Sequence, residues 1–175
     1  MVELPARVVA DLDHVDRQIL EELQVDGRIS VAELARRVHL STTPCQERVR
    51  RLERDGFIKD YVARLDTRRL GFDLVAFIEV SLDRTNPDFF ERFRLAVRDI
   101  DEVIECHMVA GNFDYLLKVR ALSMSAYRRF LVEKLTSIAG LQHTHTYFAL
   151  EEVKSSTRIP LIPPHVSRAK KRGHQ

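Results

Sequence analysis

Residues Ser30 to Arg54 read SVAELARRVHLSTTPCQERVRRLER, and this stretch decides how the N-terminal third is organised. Ser30 with Glu33 three residues on is a capping-box pattern. The hydroxyl takes a free backbone N–H of the first turn and the carboxylate reaches back to the cap. Leu34, Ala35 and Val38 then fall on one face of a short helix. His39-Leu40 makes a turn and Ser41 caps the next helix. Pro44 is tolerated there because first-turn N–H groups have no partner inside a helix. Along that helix Cys45, Val49 and Leu52 share one face, and Cys45 reads as a small buried hydrophobe. Thr43, Gln46, Glu47, Arg50 and Arg54 point away, with Arg51 to one side.

Working outward, Leu12, Val15, Ile19, Leu20 and Leu23 recur at helical spacing before this stretch, with Asp13 and Asp16 in the first turn, where negative charge suits the helix dipole. Gly27 ends that helix. After Gly56, residues 57–65 alternate loosely and read as a strand or wing. Three short helices with a cationic third match a winged helix-turn-helix over 1–65, the motif at about 31–50. In that geometry the third helix enters the major groove. Thr42, Thr43, Gln46 and Arg50 are the candidates for base contact, since Gln pairs bidentately with adenine and Arg with guanine. Ser41 lies at the same helix start. Arg28, Arg51 and Arg54 are the candidates for phosphate contact. The alternative is a plain three-helix bundle whose arginine face is solvated; Glu47, Glu53 and Asp55 dilute its charge.

Charge does not decide between them. Residues 1–70 carry 13 basic and 13 acidic side chains, and the whole chain is only +2. Any DNA surface is therefore local. With 175 residues the chain holds one ordinary domain or two small ones. No apolar run approaches the ~18 residues needed to span a bilayer. The start lacks the apolar core of a signal peptide. Cys45 and Cys106 then read as reduced thiols of a cytoplasmic protein.

Residues 66–73 read as a linker. Beyond it, 74–82 is rich in Val, Ile and Phe, with Ile78, Val80 and Leu82 on one face of a strand. Asn86-Pro87 opens a helix marked by Phe89, Phe93, Ala96, Val97 and Ile100. Strands follow at 103–110 and 115–120, joined by the turn Gly111-Asn112-Phe113-Asp114. A helix capped by Ser123 or Ser125 carries Tyr127, Phe130, Leu131, Lys134, Leu135 and Ile138, and Gly140 closes it. A last strand runs over 144–153. The order βαββαβ over 74–154 is that of a ferredoxin-like sandwich, so the fold class is α+β. Two helices cover one face of four strands. The other face, with Phe77, Leu116 and Tyr147 or their neighbours, predicts a homodimer, which also suits a reader of paired half-sites. Residues 155–175 hold three prolines, five basic residues and no acidic one, and read as a disordered basic tail.

Leu12-Asp13, Asp16, Ile19-Leu20, Asp26-Gly27-Arg28, Pro44-Cys45, Arg48-Val49, Leu52 and Gly56-Phe57-Ile58 together resemble the Lrp/AsnC family of regulators. Glu105-Cys106-His107, Gly111, Phe113 to Lys118, Met124 to Arg128 and Glu151 to Lys154 resemble its leucine-responsive branch. The likeness covers about residues 11–159. It implies a transcriptional regulator of amino-acid metabolism, associated with the nucleoid. Dimers would join into octamers on promoter DNA, and an amino acid such as leucine would bind between dimers. Asp114 would then accept the ammonium group. Backbone N–H groups at Gly111 and Asn112 would hold the carboxylate. Met124, Tyr147 and Phe148 would wall the side chain. Read without the resemblance, the same loop is a tight turn and the apolar residues are core. Three positions depart from the family pattern: His39 where Gly is usual, Thr42 where Pro is frequent, and Asn112 where the branch often has Asp. The tail beyond Arg158 is also unusually long.

No catalytic residue, metal site or cofactor is expected. His143 and His145 share a strand face, but no Cys, Asp or Glu lies within two residues to complete a ligand set. Cys106 and His107 point to opposite faces and cannot pair as nucleophile and base. The enzyme alternative is a sirohaem decarboxylase, which resembles the same family; the cationic third helix argues against it. A further alternative is an architectural nucleoid protein that ignores small molecules.

Overall fold

The computed structural model describes residues 12–161. The chain divides into two units, one holding residues 12–63 with 155–161, the other 64–154. The first unit contains α1 (His14–Val25), α2 (Val31–Arg37) and α3 (Thr42–Arg54). Ile19, Leu20, Leu34, Ala35, Val38, Cys45 and Leu52 form its core, as the helical spacing requires.

The caps differ from the sequence reading in an instructive way. The reciprocal capping box lies at Asp13 and Asp16, each carboxylate accepting the other's backbone N–H. At α2, Ser30 accepts the Glu33 N–H at 3.2 Å, but the Glu33 carboxylate turns away to Arg36 and Arg37. An ion pair with two arginines outcompetes one neutral N–H. Ser41 stands at the start of α3 without a side-chain cap bond. The turn before it is left-handed, with His39 at φ 57°, a conformation in which a glycine would be free of strain.

The wing expected over 57–65 is not formed: residues 58–66 have no strand partner among the described residues. A lone strand has nothing to bond its backbone to, and alternation does not supply a neighbour. The start of the supposed tail is also ordered against α1. The Gln24 amide holds both backbone groups of Ile159, at 3.0 and 2.6 Å, and Glu21 meets Arg158 at 3.0 Å and the Leu161 N–H at 2.7 Å. Leu161 packs on the core of this unit. The rest of that tail, 162–175, lies outside the described residues.

The second unit contains β1 (Leu74–Leu82), α4 (Asp88–Arg98), β2 (Val103–Met108), β3 (Tyr115–Ala121), α5 (Met124–Arg129) and β4 (Leu141–Phe148). All strand pairs are antiparallel, in the order β2-β3-β1-β4. The helices bury Ala76, Ile78, Val80, Leu82, Tyr115, Leu117 and Val119. Alternation then turns Phe77, Glu79, Leu116, Lys118, His145 and Tyr147 to the opposite face of the sheet. α5 runs on into a π-helical stretch, Phe130–Leu135, whose five-residue step brings both of those side chains into the core. Lys134, expected on the helix's packed face, instead pairs with Glu102 at 2.8 Å. Gly140 (φ +87°) lies against Phe89, where a Cβ would come within 2.2 Å of the ring. Residues 66–73, expected as a plain linker, include a turn held by Arg120 through Thr67 Oγ1 and the Phe72 carbonyl.

Candidate DNA interface and effector site

The packed face of α3 is fixed by Cys45 and Leu52, which are fully buried. Helical geometry then exposes Ser41, Thr42, Thr43, Gln46, Glu47, Arg50 and Arg54 along the opposite side. Burial raises the Cys45 thiol pKa, which keeps it a protonated packing group. Thr42, Thr43, Gln46 and Arg50 have no side-chain hydrogen bond or ion pair with any described residue. Thr42, Thr43 and Gln46 occupy the N-terminal half of the helix, where base contacts are made in this motif, and Arg50 follows one turn beyond Gln46 on the same side.

The arginines of this unit fall into two sets. Arg48 reaches Asp13 at 2.6 Å and Asp16 at 2.8 Å, and Arg51 reaches Asp16 at 2.5 Å. These contacts pin α3 to α1 through a carboxylate that is 1 % exposed. Arg51, expected to contact phosphate, therefore has one guanidinium nitrogen committed to the scaffold. Arg48 was missed because only the fold brings it to Asp13 and Asp16. Arg36 and Arg37 are likewise paired, with Glu33 and with Glu22. Those arginines hold the Glu33 carboxyl at a pKa of about 2. Arg28 and Arg50 remain unpaired among the described residues, and Arg54 lies 3.5 Å from Asp55 while remaining exposed.

In the second unit the turn 111–114 sits at the Leu82 end of the sheet. The Asp114 N–H donates to the Val80 carbonyl at 2.9 Å, and the Asp114 carbonyl accepts the Val109 N–H at 3.0 Å. Asp114 is 6 % exposed. One carboxylate oxygen accepts the Leu82 N–H at 2.8 Å, and the other accepts Arg84 at 2.9 Å. A carboxylate has about four lone-pair sites, so this one keeps acceptor capacity. It lines an open cleft of ≈600 Å³ with Arg84, Gly111, Asn112 and His143. The cleft thus places a carboxylate, a guanidinium and turn backbone together, which are the groups that an ammonium and a carboxylate require. Arg84 was not among the residues singled out from sequence. It lies 30 positions from Asp114, in a loop with no motif to mark it.

Met124, Tyr147 and Phe148 lie elsewhere. All three are exposed, at 48 %, 50 % and 40 %. Phe148 pairs with Ala76 and Tyr147 with Phe77, whereas Asp114 meets Val80. At ~3.3 Å per strand residue, the four positions from Ala76 to Val80 span about 13 Å. Tyr147 and Phe148 also point to opposite faces, Phe148 standing edge-on to Tyr127 at 5.0 Å. Within one chain the six proposed effector residues therefore form two groups at opposite ends of the sheet.

Among the described residues no cluster of three His, Cys, Asp or Glu side chains gathers for a metal, and no helix is long and apolar enough to cross a membrane.

Both units have counterparts among known proteins. The family model for the AsnC-type helix-turn-helix domain matches residues 12–53, and that for the Lrp/AsnC ligand binding domain matches residues 75–159. The leucine-responsive regulatory proteins of Escherichia coli and Serratia marcescens are each 54 % identical over 159 residues, covering 91 % of this chain and 97 % of theirs. A transcriptional regulator of Neisseria meningitidis, solved as a complex with L-Met, superposes with a TM-score of 0.82 at 39 % identity, covering 86 % of this chain and 97 % of that one. Escherichia coli AsnC superposes with a TM-score of 0.77 at 28 % identity, covering 84 % and 97 %. These are regulators rather than enzymes. With a helix-turn-helix unit and a ligand-binding unit matched in order along its length, the chain belongs to the Lrp/AsnC family of DNA-binding transcriptional regulators.

Proposed function

We propose that this regulator answers to a small amino acid, of which leucine is the first candidate, and that it acts as a homodimer assembled further, to an octamer, on promoter DNA in the nucleoid of the cytoplasm. The observation that carries the amino-acid reading is the Asp114 carboxylate. It is buried, keeps acceptor capacity, and faces a cleft beside Arg84 and the Gly111–Asn112 backbone. Asp114 takes the ammonium; Arg84 and the Gly111 and Asn112 N–H groups take the carboxylate. The leucine-responsive relatives and the neighbour solved with L-Met support that ligand class. Met124, Tyr147 and Phe148 of a second copy supply the apolar wall, which explains why one chain separates them from the turn. Phe77, Leu116 and Tyr147 on the uncovered sheet face support a dimer, because such a face is stable only when buried.

On the DNA side, Thr42, Thr43, Gln46 and Arg50 read bases, with Ser41 beside them at the DNA-facing helix start; Arg28, Arg54 and the free nitrogens of Arg51 meet phosphates. An effector shifts the assembly only through unequal affinity for its states. The deciding experiment is a gel shift of the chain's own upstream DNA with and without leucine, methionine and other amino acids. Retardation that changes with one of them is expected. Retardation unchanged across the panel overturns the effector reading in favour of an architectural DNA-binding role.

A further inference from the structure

A groove between α4 and β2 has no part in either site above. Its ≈300 Å³ is lined by, among others, Arg94, Val97 and Arg98 of α4, Val103, Glu105 and Met108 of β2, and Tyr115 of β3. Tyr115 is 2 % exposed, with its ring 4.7 Å from that of Phe93 and 6.2 Å from that of Phe90. Its hydroxyl is the only buried side-chain polar atom among the described residues that meets no hydrogen-bonding group. A buried, unsatisfied hydroxyl costs stability, a cost that phenylalanine would avoid in the same ring site.

The groove's charge is mainly basic. Arg98 has no ion pair among the described residues. The neighbouring carboxylates are taken: Glu91 pairs with Arg94, and Glu105 with Lys118 at 3.1 Å. The groove therefore offers guanidinium groups, one unpartnered O–H and an apolar wall, and its one lining carboxylate, Glu105, already faces Lys118 and His107. An α-amino acid would find for its ammonium only a carboxylate already paired with a lysine, and its ammonium would be repelled by the two arginines. A carboxylate carrying a carbonyl in place of the ammonium matches every group present.

We propose that this groove binds a small apolar α-keto acid. The carboxylate lies on Arg98 and Arg94, the keto oxygen accepts the Tyr115 O–H, and the tail runs along Val97, Val103 and Met108. Met108 is unbranched and 64 % exposed, so its side chain can turn aside to admit the ligand to the buried hydroxyl. The groove complements the Asp114 cleft, in which a buried carboxylate stands where the groove has a buried hydroxyl. One chain could then weigh an amino acid against the keto acid of the same carbon skeleton.

The test is calorimetric titration of the full chain with α-ketoisocaproate, with leucine as its ammonium-bearing counterpart and isocaproate as the acid lacking the keto group. Binding is expected to be strongest for the keto acid at this groove. Tyr115→Phe and Arg98→Gln should each weaken it by about tenfold or more, while Asp114→Asn leaves it intact. Thermal melts check that each variant folds. Absence of keto-acid binding, with Tyr115→Phe simply more heat-stable, would mean that the hydroxyl meets only water and would overturn the proposal. Keto-acid binding that survives Tyr115→Phe but is lost in Asp114→Asn would also overturn it, by placing the ligand in the turn cleft. The titration contains no DNA, so its outcome is separate from that of the amino-acid gel shift.

Discussion

Asp16 and Asp114 are the two buried carboxylates among the described residues, one in each unit, and they are held in opposite ways. Asp16 accepts from the Asp13 N–H, from Arg48 and from Arg51, all contacts between α1 and α3 or within α1. Asp114 accepts from one backbone N–H and from Arg84, whose side chain is 67 % exposed, and it borders an open cleft. The first carboxylate takes three donors, all supplied by its own unit, and acts as a strut. The second keeps capacity for a partner that the fold does not supply. Burial alone does not separate a structural carboxylate from a ligand-binding one; the count and exposure of its donors do.

The largest effect that would break this comparison is expected at Asp16. Asp16→Ala removes the partner of Arg51 and one of two partners of Arg48, and it removes the Asp16 half of the capping box while the Asp13 cap bond stays. Loss of one member of a buried pair costs about 3–5 kcal/mol; the partial exposure of both arginines puts the expected cost at the lower end. Urea unfolding of the helix-turn-helix unit reads this directly, and an unchanged midpoint would remove the strut. The same network sets an acid limit. The Asp16 N–H, then Arg48, holds the Asp13 carboxyl below its ordinary value of 3.8. A depressed folded pKa contributes stability that is full above the unfolded value and is lost as pH falls through the folded one. Unfolding of this unit should therefore steepen below pH 3.8, and Asp13→Asn should flatten that dependence.

Asp114→Asn keeps the shape and the Leu82 contact but removes the charge facing Arg84. A hydrogen bond to a charged group is worth about 1.5–3 kcal/mol, and the exposure of Arg84 places the stability loss at or below the lower figure. The larger change is functional: the amino-acid response of DNA binding should disappear while binding without effector persists. A response equal to that of the unaltered chain would place the ammonium elsewhere.

The arginines of α3 give a sharper form of the same contrast. Arg50 is exposed and unpaired among the described residues, whereas Arg51 is tied to Asp16. Arg50→Ala should weaken specific DNA binding by about 1–3 kcal/mol without shifting the unfolding midpoint. Arg51→Ala should lower both. Equal midpoints for the two variants would show that the Asp16–Arg51 contact carries no stability.

Much of this was legible in the sequence because it depends on spacing along one element. The core stripes of α1 to α3, the βαββαβ order and the choice of Thr42, Thr43, Gln46 and Arg50 all follow from helical or strand periodicity. What was not legible depends on which distant residue arrives. The strut between Asp16 and Arg51 crosses 35 positions, and the Arg84–Asp114 pair crosses 30. The clasp of 155–161 on α1 rests on Gln24 and Glu21, which look like ordinary solvated positions. The expected wing failed for the converse reason: alternation is local, but a strand exists only with a neighbour.

His39 is the smallest test and the one closest to DNA. Its φ of 57° places it in the left-handed region at the turn that leads into α3. A residue with a Cβ pays roughly 1–2 kcal/mol there, although His is among the better tolerated. Glycine removes that strain but adds about 0.5–1 kcal/mol of chain entropy to the unfolded state. His39→Gly should therefore stabilise the unit by only about 0.5–1 kcal/mol, read as a small rise in melting temperature. Because Ser41 makes no cap bond, the backbone of this turn does more than the cap to set where α3 begins. If His39→Gly raises stability and leaves the affinity for cognate DNA unchanged, the turn is fixed by packing of Val38 and Leu40 on either side. If affinity falls although stability rises, the histidine is contributing to the DNA surface itself, and the reading face extends from α3 back into the turn.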